Sequence, residues 1–280
     1  MTTRIISAAV AIVIAVIILA LHNTFVFSIA IAAISAGAIY EILKATGYLK
    51  HKLQTIFCCG YTVLNCIAFI WLNNEKLKFI DGYFIFGIFV IAMCIMYFKE
   101  HESFKYTDLF FMIGVSYFVN YAFVTLLAIN ASYIGFNSVG LFMIVITLCG
   151  AWLADSGAYF AGTFFGKTPL CPEISPKKTV EGLLGGIICN GVLFIIISLF
   201  YEYVLDGESI RYFMIFICGM ICALLGLLGD LTASMIKRQC GIKDFGNIMP
   251  GHGGIMDRFD SVLFVAPFMY YAFMHGWIFG

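Results

Sequence analysis

The sequence predicts an all-α, polytopic integral membrane protein, and two observations support this prediction. Hydrophobic residues make up 62% of the 280 residues and charged residues 11%, against about 45–50% and about 25% in soluble domains. One globular core cannot bury so large an apolar excess, so the bilayer must surround most of it. The apolar residues also come in runs of helical length, since a bilayer core of about 30 Å needs about 20 helical residues.

Nine segments reach this length, so we expect about nine transmembrane helices. In chain order they are 5–21, 24–43, 55–72, 79–98, 107–129, 135–166, 179–205, 211–238 and 260–279. The first resembles a signal peptide, but the eight apolar segments behind it favour a membrane span. Two of them, 135–166 and 211–238, are over-long and carry an acid, so we expect them to project beyond the membrane or break within it.

The distribution of basic residues predicts the orientation of the chain. With nine spans and a cytoplasmic N-terminus, 13 of the 16 Lys and Arg residues face the cytoplasm. These are Arg4, Lys44, Lys50, Lys52, Lys99, Lys105, Lys167, Lys177, Lys178, Lys237, Arg238, Lys243 and Arg258. The opposite side has Lys76, Lys78 and Arg211. The sequence therefore predicts a cytoplasmic N-terminus and an external C-terminus.

Composition also limits the function classes and the domain organisation. The formal net charge is zero, and the basic residues form only short loops, so we do not expect nucleic acid as a partner. Most of the ten cysteines lie in apolar stretches and none forms a CxxC pair, which is typical of small hydrophobic residues rather than a redox or zinc site. We expect a single membrane domain, with an N-terminal transmembrane scaffold at 1–130 and a C-terminal transmembrane catalytic region at 131–280.

Six acidic residues fall at the cytoplasmic edge of the predicted spans or in their cytoplasmic half. They are Glu41, Asp155, Glu181, Asp230, Asp257 and Asp260. Charge inside a bilayer is costly, so each is a functional candidate by default. For Glu41, pairing with a basic neighbour is an equally good explanation, whereas the five in the C-terminal half converge with basic loops.

The densest polar stretch covers residues 229–260 and begins on a predicted helix. Asp230, Ser234 and Lys237 are spaced i, i+4 and i+7, so they share one helix face. An acid, a hydroxyl and a cation on one face suit a metal–phosphate assembly better than a salt bridge alone.

The second half of this stretch joins a glycine-rich loop to two further carboxylates. Residues 250–254 read Pro-Gly-His-Gly-Gly, a composition that lets backbone amides approach a phosphate closely. Asp257 and Asp260 are spaced i, i+3, so we expect both on one face of the next helix. Mg²⁺ takes carboxylates together with substrate phosphate oxygens, so the stretch predicts metal-dependent phosphate chemistry.

This stretch closely resembles the signature of the phosphatidate cytidylyltransferases (CDP-diacylglycerol synthases) of bacterial type. The matching residues are Ser234, Lys237, Arg238, Lys243, Asp244, Pro250, His252, Gly253, Gly254, Asp257, Arg258 and Asp260. A second segment is similar to the upstream motif of the same family: Asp155 to Tyr159, then Gly162, Gly166 and Lys167, and Ser175 to Gly182. The first 130 or so residues match in hydropathy alone.

The upstream segment also has a physical interpretation of its own. Ser175 and Pro176 have the pattern of an N-cap and a first-turn proline, which predicts a helix start there. The free amides of such a start, with Lys177 and Lys178, would form an anion site. A stripe of small residues precedes it and favours close helix packing. The stripe consists of Ala158, Gly162 and Gly166.

The resemblance implies a Mg²⁺-dependent nucleotidyltransferase of phospholipid biosynthesis, which transfers the cytidylyl group of CTP to phosphatidate and gives CDP-diacylglycerol and pyrophosphate. It implies a multi-pass protein of the bacterial inner (plasma) membrane with a cytoplasmic active site. Asp230, Asp257 and Asp260 are the expected metal ligands, for Mg²⁺ with or without a second cation. The same three and Lys237 are the expected catalytic residues. The expected substrate-binding residues are Ser234, Arg238, Lys243, Asp244, His252, Gly253, Gly254, Arg258, Asp155, Ser175, Lys177, Lys178, Thr179 and Glu181.

Two alternatives stay open at this point. One is a CTP-dependent enzyme acting on another lipid, such as an ether lipid phosphate or a polyprenol. The other is an ion-coupled transporter, in which intramembrane acids relay ions, although the acids and glycines here have no counterpart in the N-terminal half. The expected partners are CTP, phosphatidate and the lipid bilayer, and the small-residue helix faces permit a homodimer.

Overall fold

The structure is a computed structural model that describes residues 2–71, 82–131, 137–248 and 253–280. Five residues used in the sequence interpretation lie outside these ranges, namely Lys76, Lys78, Pro250, Gly251 and His252. Helices dominate the described chain, and a single two-stranded antiparallel sheet accompanies them there.

The helices follow the predicted segments closely. They are α1 (Thr2–Ala20), α2 (Phe25–Ala45), α3 (Lys52–Trp71), α4 (Gly82–Lys99), α5 (Tyr106–Ala131), α6 (Asn137–Phe165), α7 (Val180–Val204), α8 (Tyr212–Gln239), α9 (Met256–Phe259) and α10 (Val262–Met274). A 3-10 turn at Tyr48–Lys50 follows α2, and strands β1 (Pro169–Cys171) and β2 (Ser175–Thr179) lie between α6 and α7.

Helix length and composition confirm the predicted all-α membrane fold. Within the described residues, seven helices, α2 to α8, are long and apolar enough to cross a bilayer, and two shorter apolar helices lie at Ile6–Ala20 and Val262–Met274. Large apolar side chains point outward from these helices; on α7, Leu184, Ile188 and Ile196 are each more than half exposed. Such surfaces suit contact with lipid. The predicted orientation of the chain stays a prediction.

The two over-long segments form continuous helices. α6 has 29 residues and α8 has 28, so at about 1.5 Å per residue each is about 42–44 Å long. Both therefore exceed the bilayer core of about 30 Å without a break. The sequence predicted that these segments would either project beyond the membrane or break within it. Continuous helices agree with projection and not with a break.

The chain divides into two compact units. The first comprises Met1–Leu127 and Cys240–Arg258, and the second comprises Ala128–Gln239 and Phe259–Gly280. The loop that carries most of the signature thus belongs to the first unit. The predicted division at 130/131 into scaffold and catalytic region concerns function, and it stays a prediction.

A buried polar network joins three helices of the first unit. The Ser35 and Thr62 hydroxyls lie 2.6 Å apart, and the Thr62 hydroxyl donates to Asn120 Oδ1 at 2.8 Å. The Asn120 amide donates to the Tyr61 hydroxyl at 3.1 Å. Hydrogen bonds between helices hold a bundle together where lipid removes the hydrophobic driving force, so this network fixes α2, α3 and α5.

Small residues bring α6 and α7 of the second unit into close contact. A Cβ at Gly182 would lie 2.8 Å from the Ala158 carbonyl oxygen and 3.2 Å from Gly162 Cα. The predicted stripe therefore packs against α7, as expected. Asn190, fully buried on α7, donates to the carbonyl of Gly150 at 3.3 Å and to that of Gly219 at 2.7 Å, which ties α7 to both neighbours.

The helix start predicted at Ser175 and Pro176 is wrong. Residues 175–179 form β2, which pairs with β1, and α7 begins at Val180 with Thr179 as its N-cap. The Thr179 hydroxyl accepts a bond from the Gly182 amide at 3.1 Å. Proline is also tolerated in edge strands, and Thr is itself an N-cap residue, so the local pattern allowed two starts. Pairing with β1 selects the later one.

Candidate active site

A cavity of about 580 Å³ lies within the second unit, lined by α6, the β-hairpin, α7 and α8. One part of its wall is polar and contains six residues predicted to bind substrate or metal. They are Asp155, Ser175, Lys177, Lys178, Thr179 and Asp230. Another part is apolar, with Leu183, Ile187 and Leu227. The cavity can therefore accommodate a ligand that has both a charged and an apolar portion.

Lys178 joins two carboxylates from different helices. Its ammonium Nζ lies 2.6 Å from Asp230 Oδ2 on α8 and 3.6 Å from Asp155 Oδ1 on α6. The Asp155 side chain is 53% exposed, and those of Lys178 and Asp230 are 25% exposed. One ammonium group thus faces two partly solvated carboxylates that come from two different helices.

The amide part of the predicted anion site is not formed. The Val180 amide donates to the Thr168 carbonyl at 2.9 Å, and the Gly182 amide donates to the Thr179 hydroxyl. These two amides at the start of α7 are therefore engaged within the chain. The two lysines remain in the cavity wall, so positive charge there comes from side chains.

Glu181 has its described contacts outside the cavity. Its carboxylate accepts bonds from the backbone amides of Lys167 and Thr168, at 3.0 and 3.2 Å, and from the Thr168 hydroxyl at 3.0 Å. These bonds fix the turn between α6 and β1. The role of Glu181 in substrate binding stays a prediction from the sequence.

Asp260 lies next to the turn of α8 that carries Asp230. A Cβ at Gly229 would come within 3.1 Å of the carbonyl carbon of Asp260, so glycine at 229 allows this approach. The Ser261 hydroxyl donates to the Gly226 carbonyl at 3.1 Å, which holds the two segments together. Asp260 is 7% exposed, and the negative charge of Asp230 acts on its carboxylate.

The helix expected to carry both Asp257 and Asp260 is interrupted. α9 ends at Phe259, and the Asp260 Oδ1 accepts a bond from the Ser261 amide at 2.7 Å. A short carboxylate that bonds to a nearby amide competes with the helical pattern, so the prediction of one shared helix face is wrong.

The other predicted face, on α8, is formed. Asp230, Ser234 and Lys237 all lie within this continuous helix, so the i, i+4, i+7 spacing places them along one side. Lys237 is half-buried, and its positive charge acts on Asp260. Arg238, the next residue, is exposed.

The signature loop, residues 240–258 of the first unit, is shaped by a carboxylate of its own. The Asp257 Oδ2 accepts bonds from the amides of Phe245 at 2.8 Å and Gly254 at 3.0 Å. Gly253 has a φ of +84°, a conformation that favours glycine. The described contacts of Asp257 thus organise the loop, a role that its spacing from Asp260 did not indicate.

Three residues of this loop that were predicted to bind substrate have exposed side chains. The loop also contacts Glu41, which was not among the predicted site residues. Lys243, Asp244 and Arg258 are the exposed ones. Glu41, on α2 of the same unit, accepts bonds from the backbone of the loop. The sequence had offered an acid inside an apolar helix as the only sign of a role for Glu41.

Comparison with known proteins connects this geometry to a family. Residues 2–275 match the sequence profile described as the Cytidylyltransferase family. The chain belongs to this family. The resemblance found in the signature is thereby confirmed, and the match reaches through the N-terminal half, where the sequence had indicated hydropathy alone.

Three relatives of the cytidylyltransferase family illustrate the likeness, and each is named phosphatidate cytidylyltransferase. The protein of Bacillus subtilis is 33% identical over 250 residues, which cover 88% of this chain and 87% of the relative. That of Haemophilus influenzae is 32% identical over an alignment of 291 positions, which covers 96% of this chain and 96% of the relative. That of Staphylococcus saprophyticus is 44% identical over 133 residues, which cover 48% of this chain and 49% of the relative.

The magnesium ion expected from the sequence stays a prediction, and two carboxylates of the second unit could hold it. Among the described residues, no three His, Cys, Asp or Glu side chains lie together as a preformed metal site. Mg²⁺ in such enzymes is commonly held by one or two carboxylates and completed by water and substrate phosphates. Asp230 and Asp260 supply two carboxylates whose negative charges act on each other.

Proposed function

We propose that this chain transfers the cytidylyl group of CTP to phosphatidate and gives CDP-diacylglycerol and pyrophosphate. The observation that carries the proposal is the cavity among membrane helices where Lys178 meets Asp155 and Asp230. Membership of the cytidylyltransferase family and the name shared by the three relatives support the choice of reaction.

The reaction needs positioning and charge neutralisation more than acid–base catalysis. An ionised phosphate oxygen of phosphatidate attacks the α-phosphorus of CTP, and the bond from this phosphorus to the oxygen bridging to the β-phosphorus breaks. The electron pair leaves with pyrophosphate. Because the nucleophile is already an anion near pH 7, no strong general base is required. The protein must instead hold two polyanions together and stabilise the leaving group.

Side chains of the cavity suit these tasks. Lys178 pairs with two carboxylates in the structure, and its ammonium group can also bind a phosphate oxygen of a ligand. Lys177 beside it adds a second positive charge. Leu183, Ile187 and Leu227 give the cavity an apolar wall against which the glycerol and acyl portion of a lipid can rest.

Asp230 and Asp260 would hold Mg²⁺, with or without a second cation. When bound, the ion neutralises phosphate charge and stabilises the departing pyrophosphate. We place the reaction at the cytoplasmic face of the bacterial inner membrane, as the distribution of basic residues favours. Lys237 would bind phosphate beside the carboxylates. The resemblance of the signature further implies phosphate contacts for Lys243 and Arg258, substrate binding for Asp244 and His252, and a metal-ligand role for Asp257.

A labelling experiment with the purified protein tests the proposed reaction. The chain in detergent is mixed with phosphatidate, Mg²⁺ and CTP labelled at either the α- or the γ-phosphorus. We expect the α-label in the organic-soluble lipid and the γ-label in pyrophosphate. Transfer of the γ-label to lipid would indicate a kinase instead, and absence of both labels from the lipid would contradict the proposal.

Parallel reactions with an ether lipid phosphate and with a polyprenol test the choice of lipid. We expect phosphatidate to be the preferred acceptor at equal concentrations. A higher kcat/KM for either competitor would support cytidylyl transfer from CTP but would show that phosphatidate is not the preferred acceptor.

A further inference from the structure

Glu41 is buried in the first unit and bonded through both of its carboxylate oxygens. It lies on α2 and is 2% exposed. Its Oε1 accepts a bond from the amide of Ile255 at 3.1 Å, and its Oε2 accepts one from the amide of Met256 at 2.8 Å. A carboxylate from the N-terminal half therefore binds the backbone of the signature loop.

The loop is shaped closely around this carboxylate. A Cβ at Gly254 or at Gly246 would collide with the Glu41 carboxylate oxygens. Glycine at these two positions is therefore required by the approach of Glu41, which is a more specific reason than loop flexibility.

Two carboxylates share three successive amides of the loop. Asp257 accepts from the Gly254 amide, and Glu41 accepts from the next two, those of Ile255 and Met256. The backbone of residues 254–256 is thus held by two carboxylates immediately before Asp257. Along the chain, Arg258 and Asp260 follow within four residues.

We propose that Glu41 is a positioning residue for catalysis, which fixes the signature loop so that the signature residues after it are correctly placed. This inference rests on the proposed function. It gives the N-terminal half a part in the reaction beyond that of a membrane scaffold. Glu41 acts through the loop backbone and touches no substrate.

The hydrogen-bond pattern predicts how substitutions will rank. Glutamine keeps the size of the side chain but has one acceptor oxygen, and its NH₂ group would face a backbone N–H. Aspartate keeps two acceptors but is one methylene shorter. Loss of a hydrogen bond to a charged group in a buried site corresponds to about 10- to 100-fold in an equilibrium. We therefore expect Glu41→Gln to lower kcat by about 10- to 100-fold.

The experiment compares Glu41→Gln and Glu41→Asp with the control Asp108→Asn in the full-length protein. Asp108 is a buried acid of the same unit that accepts a bond from the Lys105 amide at 3.2 Å. The measurements are kcat, the Mg²⁺ concentration for half-maximal rate, and the thermal unfolding midpoint. We expect Glu41→Gln to lower kcat and to raise the Mg²⁺ concentration for half-maximal rate, and Glu41→Asp to retain more activity. Asp108→Asn should match the wild type in kcat and in the Mg²⁺ concentration for half-maximal rate.

Hydrogen exchange provides a readout that does not depend on activity. The peptide covering residues 253–258 should exchange about 10-fold or more faster in Glu41→Gln than in the wild type, because the amides of 255 and 256 lose an acceptor. Exchange of the peptide covering β2 should not change. Unchanged exchange at 253–258 together with a wild-type kcat would overturn the proposal.

A glycine pair extends the test to a variant that leaves Glu41 in place. Gly254→Ala should reproduce the kcat defect of Glu41→Gln, whereas Gly60→Ala, where a Cβ meets nothing within 4 Å, should have no effect. The double variant with Glu41→Gln should be less than additive, since both changes disturb one contact. Full additivity would contradict the proposal. An inactive wild type would instead refute the proposed function, while faster exchange in Glu41→Gln would still support the contact.

Discussion

At the scale of single residues, Lys178 is the side chain with the most evident electrostatic task. It balances Asp155 and Asp230, so removing its charge would leave two unbalanced carboxylates in the cavity that we propose binds CTP. We expect Lys178→Met to lower kcat/KM for CTP at least 100-fold, because a phosphate contact is lost and repulsion is added. Lys178→Arg should retain part of the rate.

Steady-state rates with labelled CTP measure this effect. Lys99→Met, which removes an exposed lysine at the end of α4, is the matched control. Equal kcat/KM in Lys178→Met and Lys99→Met would show that Lys178 has no part in binding CTP.

Asp260 permits a second prediction at the same scale. Asp260→Asn retains an oxygen that accepts from the Ser261 amide, so the fold should persist, but the substitution removes the negative charge needed by a cation. We expect turnover to fall at least 1,000-fold with little change in unfolding temperature. Asp206→Asn is the control, since Asp206 is exposed with φ 49°, a conformation that Asn also adopts. Near-normal activity of Asp260→Asn at limiting Mg²⁺ would exclude Asp260 as a ligand.

At the scale of elements, the start of α7 depends on one hydroxyl. Thr179 caps the helix by accepting from the Gly182 amide, and loss of an N-cap costs about 1 kcal/mol. We expect Thr179→Ala to lower the thermal midpoint and to speed exchange of the amides near 182, while Thr179→Ser preserves both. A Thr179→Ala protein as stable as Thr179→Ser would show that β2 alone fixes this helix start.

The packing of α8 against α7 gives a further prediction about elements. A Cβ at Gly219 would lie 2.9 Å from the Asn190 carbonyl oxygen and 2.9 Å from Gly191 Cα. Gly219→Leu should therefore separate the helices and destabilise the protein by about 3 kcal/mol or more. Gly87→Leu on α4, where a Cβ meets nothing within 4 Å, should be tolerated. Thermal unfolding in detergent compares the two, and equal midpoints would contradict the close approach.

Element by element, hydropathy was a sufficient guide to the helices because lipid imposes both their length and their apolar surface. The apolar segment 179–205 begins within one residue of α7, whereas the N-cap pattern misplaced the helix start at Ser175. Ser and Thr are both common at N-caps, and pairing of β2 with β1 selects Thr179. Residue spacing also could not show that α9 ends before Asp260, where a side-chain bond to Ser261 replaces the helical one.

Some contacts of the candidate site could likewise be predicted from the sequence, and others could not. Spacing along one helix correctly placed Asp230, Ser234 and Lys237 on α8. The ion pairs of Lys178 join residues on three different elements, and no local spacing encodes such contacts. Glu41 is the extreme case, because its partner Ile255 is 214 positions away.

At the scale of the whole molecule, the orientation in the membrane is open to direct measurement. The bias of basic residues predicts a cytoplasmic N-terminus and an external C-terminus. A reporter enzyme that is active only outside the cytoplasm should therefore be active when fused after residue 280 and inactive when inserted between β1 and β2. The reverse pattern would place the cavity on the face away from CTP and would contradict the proposed cytoplasmic reaction. The homodimer likewise stays a prediction, which the mass of the detergent-solubilised protein can test.

The bond from Glu41 to the signature loop also has a consequence for biosynthesis. Translation at about 5–20 residues per second separates the synthesis of Glu41 from that of Ile255, 214 positions later, by about 10 to 40 s. During this interval the carboxylate of Glu41 lacks the two loop amides that donate to it in the complete chain. Chains that stop before residue 255 retain this defect permanently.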